Sequence, residues 1–189
     1  EPTKPHHIMP FSGGLDSLAG AVQHLSTSND ILCLVSHRSG QPSTARTQDK
    51  LMTALSERFQ GRVRHYTFST GLTNGRAVSE SQRTRTFLYG AIAFALARGL
   101  SQKSLTFYEN GITSLNFARR QDAINSRASR TTHPKTMRLL EEFLSHIVGE
   151  RFGVDNPFRW KTKSEVLEVI AAHRAENWIS SAVTCSKTT

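Results

Sequence analysis

The chain has 189 residues, 37% hydrophobic and 21% charged, which suits one domain with its own core and argues against a disordered tail. No run of about 18 apolar residues occurs, so no transmembrane helix and no membrane partner are expected. Lys and Arg number 24 against 15 Asp and Glu, a formal charge of +9 that would attract nucleotides, nucleic acid or an acidic protein.

In chain order, residues 6–11 form a short extended run ending in a Gly-rich turn, and residues 16–25 follow with helical spacing of apolar side chains. The continuous apolar run 31–36 (ILCLVS) predicts a parallel strand buried on both faces. Residues 40–44 read as a loop, 48–59 as a helix carrying Leu51, Met52, Leu55 and Phe59, and 64–69 as a strand. Residues 71–81 are polar and Gly-containing, the composition of a mobile loop. The helix at 85–98 is ended by Gly99, and a fourth strand at 104–108 runs into the turn Glu109-Asn110-Gly111.

Residues 113–132 are polar, basic and weakly periodic. Pro134 opens a helix to about Val148, and Thr162-Lys163-Ser164-Glu165 is a capping box that opens another. Residues 179–184 read as a last short strand. Strands alternating with helices predict a single α/β domain over 1–189, a doubly wound parallel sheet.

Ser12-Gly13-Gly14-Leu15-Asp16-Ser17 falls between the first strand and the first helix, at the carboxyl edge of the sheet where ligands bind in such folds. Gly13 and Gly14 allow positive φ and bring backbone N–H groups close to an oxyanion. The helix N-terminus adds unpaired donors and partial positive charge, and Ser12 and Ser17 add hydroxyls. Asp16 beside a phosphate requires an intervening cation, and magnesium carried on the phosphates would provide it. A plain strand–turn–helix connection, with Ser12 or Asp16 as its N-cap, is the alternative.

The hexapeptide resembles the pyrophosphate loop of the N-type ATP pyrophosphatases. It is not a Walker A loop, because no Gly-Lys-Ser/Thr follows. The resemblance implies an adenine nucleotide alpha hydrolase-like, Rossmann-like fold. It also implies cleavage of ATP between the α and β phosphates, with AMP passed to a carboxylate or carbonyl oxygen. Within that superfamily four segments resemble 7-cyano-7-deazaguanine synthases. They are Arg85-Thr86-Phe87-Leu88 at a helix start, Asn110-Gly111 after the fourth strand, Pro157 followed by Thr162-Lys163-Ser164-Glu165-Val166, and Ser181-Ala182-Val183-Thr184-Cys185.

That likeness implies ATP and magnesium as cofactors, with a 7-deazapurine carboxylate and ammonia as substrates. Asp16, Arg85 and Lys163 become the catalytic candidates, with a surface arginine and an exposed first-turn lysine as the simpler readings of the last two. Ser12, Gly13, Gly14, Leu15, Asp16, Ser17, Asn110 and Gly111 become the ligand-binding ones. Ser36 and His37 follow the second strand, where the superfamily holds adenine and ribose.

In the synthases the cysteine corresponding to Cys185 is the first of four zinc ligands, and the other three form a cluster further on. The sequence begins at Glu1 and ends at Thr189 before any such cluster, so truncation ahead of a zinc-binding segment is expected. Cys33 lies within an apolar strand and reads as a buried thiol, and a reducing cytoplasm is the expected compartment.

The basic stretch with Arg119, Arg120, Arg127 and Arg130 resembles instead the divergent synthase-like proteins of bacterial anti-phage gene clusters. It implies a protein partner from such a cluster or nucleic acid bound through the basic surface, against a solvated loop as the simpler reading. His133 is a candidate general base, with a surface residue at a helix start as the simpler reading. Two other functions compete: a tRNA-thiolating adenylase, which needs a relay cysteine, and a non-catalytic nucleotide- or nucleic-acid-binding subunit.

Overall fold

The computed structural model describes residues 5–38, 42–71, 85–115 and 132–182. Strands and helices alternate from the start: β1 (His6–Pro10), α1 (Leu15–Thr27), β2 (Ile31–His37), α2 (Pro42–Arg58), β3 (Val63–Phe68) and α3 (Arg85–Gly99). The second half runs β4 (Ser104–Thr106), α4 (Gly111–Leu115), α5 (Pro134–Val148), β5 (Gly153–Asp155) and α6 (Lys163–Ala172), then a 3-10 helix at Glu176–Ser181.

β1, β2 and β3 pair in parallel, with Ile8 opposite Cys33 and Leu34 opposite His65. β4 and β5 pair in parallel, Leu105 opposite Val154, and β4 packs beside β1. Among the described residues the hydrogen-bonded ladders form two sheets, β1-β2-β3 and β4-β5, and the packing of β4 beside β1 sets the strands in the spatial order 3-2-1-4-5, with the reversal of winding between β1 and β4.

Side-chain alternation along β2 divides the core. Leu32 and Leu34 point to one face and meet Leu18 and Val22 of α1, Leu51 and Leu55 of α2, and Val166 and Ile170 of α6. Cys33 and Val35 point to the other and join Ala93 and Ala97 of α3 with Met137, Leu140 and Leu144 of α5. Both faces of the strand are covered, as its uninterrupted apolar sequence requires. Each fully buried Leu or Val contributes roughly 1.5–3 kcal/mol of burial. At the β1–β4 boundary α1 presses on the chain leaving β4: a Cβ on Gly20 would lie 2.1 Å from the Tyr108 ring. Only glycine fits there.

Three sequence expectations are corrected. α2 begins at Pro42 rather than near Gln48, because proline in a first helical turn sacrifices no hydrogen bond. β5 was not foreseen; three residues bounded by Gly153 and an Asn-Pro pair carry no periodicity. The expected strand at 179–184 is a 3-10 turn through Ser181, in which Trp178 and Ile179 both pack against the core instead of alternating; residues 183–184 lie outside the described residues. So do most of the loop at 71–81 and the basic stretch with Arg119, Arg120, Arg127 and Arg130. Among the described residues no helix is long and apolar enough to cross a membrane.

Candidate active site

The Ser12–Ser17 loop leaves β1 at the carboxyl edge of the sheet and enters α1 with Gly14 as N-cap. Among the described residues no side chain caps α1, Ser12 and Asp16 included, whereas His133 caps α5 and Thr162 caps α6. The first-turn N–H groups of α1 thus lack both an intrahelical carbonyl and a capping side chain, the arrangement that receives an anion.

Gly13 has φ +81°, which a side chain would strain, and an added Cβ would meet Gln48 Cγ at 3.2 Å. Ser12 Oγ accepts from Gly14 N at 3.2 Å, Ser17 Oγ donates to Gly14 O at 2.9 Å, and the two hydroxyls lie 3.3 Å apart. The side chain of Leu15 is buried in the core, so it offers a ligand only its backbone.

Asp16 gathers partners from remote parts of the sequence. Lys163 Nζ lies 2.8 Å from Oδ1, and Asn110 donates to Oδ2 from its side chain at 2.7 Å and its backbone at 3.4 Å. The capping box of Thr162 and Glu165 is fully formed and fixes the start of α6, which sets the root of Lys163. Asn110 sits where α4 begins, and Gly111 N donates to Lys161 O at 2.7 Å. That contact needs glycine, since a Cβ would come 2.6 Å from the Arg159 carbonyl. The sequence assigned magnesium to offset Asp16; the structure also sets a cation of the chain itself, the Lys163 ammonium, against that carboxylate.

Magnesium commonly binds through one or two carboxylates together with substrate phosphates, and Asp16 is a carboxylate at this loop, so the donors fit a phosphate-borne ion. Among the described residues no group of three or more His, Cys, Asp or Glu is placed to hold a metal by itself. Cys185 lies outside the described residues.

The other half of the site differs from expectation. Ser36 is wholly buried and gives its hydroxyl proton to Phe11 O at 2.7 Å, while His65 Nε2 approaches at 2.9 Å. Its hydroxyl is a strut between strands. His37 reaches the surface, 3.2 Å from Thr70 Oγ1, with its ring 5.1 Å from Phe68 and 6.0 Å from Tyr89. Partial burial and then the charge of Arg85 lower its pKa. Arg85 opens α3, donates to Tyr89 Oη at 2.8 Å and covers that ring. The structure therefore gathers Asp16, Lys163 and Asn110 at one point and sets Arg85 with His37 and Tyr89.

Sequence reasoning missed several residues. Gln48, 2% exposed, ties the two halves: Nε2 donates to Ser12 O and His37 O, each at 3.4 Å, and its buried Oε1 has no partner among the described residues. Asn156 bonds Glu109 on both sides of its amide and reaches Ser114, strapping residues 156–158 to the β4 exit. Its Asn-Pro dipeptide was the available signal. Phe68 and Tyr89 gave none, being aromatics in ordinary strand and helix positions. His133 takes the simpler reading: Nδ1 accepts from Lys135 N at 3.2 Å as the cap of α5.

No protein-family model matches the sequence, and no curated protein matches it. Solved structures do. The U34-tRNA thiolase NcsA from Methanococcus maripaludis, determined with its [4Fe-4S] cluster, is similar over 91% of this chain and 57% of that one, at 16% identity and TM-score 0.61. NMN synthetase from Francisella tularensis is 14% identical over 97% of this chain and 90% of that one, with TM-score 0.46. The protein is an α/β domain with a parallel sheet and alternating helices, a fold it shares with the thiolase. It spans 57% of the thiolase's length.

Proposed function

We propose that the protein is an ATP-dependent adenylating enzyme whose Ser12–Ser17 loop grips the β and γ phosphates. The carrying observation is the convergence of Lys163 and Asn110 on Asp16, across 147 and 94 residues of sequence, at the uncapped start of α1. A structural turn needs no such assembly.

In the reaction an acceptor carboxylate oxygen attacks Pα. The Pα–O–Pβ bond breaks, its electron pair leaves with pyrophosphate, and an acyl-adenylate forms. Ammonia then adds to the acyl carbon, loses a proton and expels AMP to give an amide. With 7-carboxy-7-deazaguanine or a related acceptor, a second ATP would adenylate the amide oxygen, and loss of AMP and protons would leave the nitrile.

Loop N–H groups and the Ser12 and Ser17 hydroxyls would stabilise the departing pyrophosphate, and Lys163 the charge near Asp16. This is electrostatic preorganisation rather than covalent catalysis. Magnesium, held by Asp16 and the phosphates, would supply further neutralisation. His37, Phe68 and Tyr89 would receive the adenosine end, with Arg85 adding charge there.

The thiolating alternative is disfavoured by Cys33, whose thiol is buried in the core and pushed up to about 11, chiefly by burial. Incubation with ATP, magnesium and candidate acceptors tests the reading. Acceptor-dependent AMP and pyrophosphate support it; nucleotide or nucleic-acid binding without AMP would favour the non-catalytic subunit.

A further inference from the structure

Gln48 lies in α2 between the two halves of the site, and its amide is oriented by what surrounds it. The two protons on Nε2 go to Ser12 O, the first carbonyl of the loop, and to His37 O, at the end of β2. Turning the amide round would set Oε1 against two acceptors, so the nitrogen must face them. Oε1 is then left buried and, among the described residues, without a donor. Both Nε2 bonds are long, at 3.4 Å, and offset little of the cost of that acceptor. Packing alone would favour an apolar side chain here, as at Leu51, Met52 and Leu55, which α2 also buries in the core.

The backbone that carries Gln48 is pinned on both sides. Arg38, one residue past His37, donates to Ala45 O at 3.1 Å and to Asp49 at 2.5 Å, which ties the first turns of α2 to the exit of β2. Opposite, Gln48 Cγ packs so closely on Gly13 that an added Cβ there would meet it at 3.2 Å. The amide therefore spans two fixed points.

We propose that Gln48 is a positioning residue whose amide sets the spacing between the phosphate loop and the aromatic end at His37, Phe68 and Tyr89, so that one nucleotide engages both at once. A ligand held at two places gains over either place alone only where their separation matches its own span. An amide that adds little stability, yet bonds the first residue of one place and the last strand residue before the other, serves that match.

The inference rests on the adenylating reading for the identity of the ligand. Gln48→Met keeps an unbranched side chain of similar length and removes the amide; its Tm should be equal to or above that of the wild type. Titration calorimetry with magnesium would compare α,β-methylene-ATP, which spans both ends, with pyrophosphate, which fills the loop alone. Gln48→Met should lose at least about tenfold in affinity for the analogue and keep that for pyrophosphate within about twofold. In turnover it should raise KM for ATP and leave KM for the acceptor in place. Equal losses for both ligands would make Gln48 a prop of the loop alone and overturn the proposal. Unchanged analogue binding, a clear fall in Tm or failure of the variant to fold would also overturn it. A wild type that bound neither ligand would overturn the phosphate-loop reading and this inference with it. The expected split in a protein that never releases AMP would uphold the positioning role and overturn the adenylating reading alone.

Discussion

The two edges of the sheet are both rich in polar groups, and they use them in opposite ways. At the amino edge, Arg62 gives its guanidinium to three carbonyls, of Leu25, Ser28 and Asp30, at 2.6–3.1 Å. Nearby, His7 stacks on His24 with ring centroids 3.8 Å apart, and His24 pairs with Asp30 at 3.2 Å. These contacts close the ends of α1 and β2 against one another. At the carboxyl edge the loop instead leaves a helix start without a side-chain cap and collects a Lys–Asp–Asn cluster beside an open cleft. Polarity alone does not mark a site; polarity arranged around unclosed backbone donors does.

The contrast predicts different consequences of damage at each edge. The largest falls on turnover: Asp16→Ala or Lys163→Ala should lower kcat/KM for AMP formation by about 10²–10³-fold, the scale of losing a preorganised electrostatic contact, with little change in Tm. Wild-type rates in both variants would remove the carboxyl edge from the chemistry.

Next is acid stability at the amino edge. Burial, and then the neighbouring His24, lower the His7 pKa to about 3, and burial also lowers that of His24. A depressed histidine stabilises the fold above its unfolded value near 6.5, and that contribution is lost as pH falls from there toward 3. Between pH 6.5 and 4 the loss should be on the order of 3 kcal/mol. Denaturant melts of His7→Phe should show a flatter dependence in that window; an unchanged slope would refute the assignment.

Smaller still is Gly111→Ala, whose Cβ would press on the Arg159 carbonyl. Overpacking of this kind costs about 1–3 kcal/mol, and because it pushes the Asn110 turn away from Lys161 it should also weaken turnover. A neutral Tm would show that the two segments separate easily. Least of all, Cys33 should resist iodoacetamide at pH 8 in a Cys185→Ser background and react only on unfolding, since its thiol is buried and its pKa stands near 11. Rapid labelling of folded protein would restore a sulfur-relay role.

Much of this was legible in the residues. The run 31–36 announced a strand buried on both faces, and the hexapeptide at 12–17 announced the loop, because each signal is local. The capping box located the start of α6 and so Lys163. What stayed hidden was nonlocal. Nothing in the sequence around Lys163 says that its ammonium meets Asp16, which depends on α6 packing beside α1. The partners of Ser36 were hidden for the same reason: its position after apolar strand residues was readable, but the carbonyl and histidine that occupy its hydroxyl come from Phe11, just past β1, and from β3. Gln48 stood at the start of an expected helix, and only the fold sets its amide between Ser12 and His37.

The central claim is that the loop directs cleavage at the α phosphate. Phosphorus NMR of ATP incubated with the protein, magnesium and 7-carboxy-7-deazaguanine tests it most directly, with Asp16→Ala run alongside. AMP and pyrophosphate are expected in equal amounts from the wild type and almost none from the variant. ADP with inorganic phosphate, or equal AMP from both proteins, would contradict it.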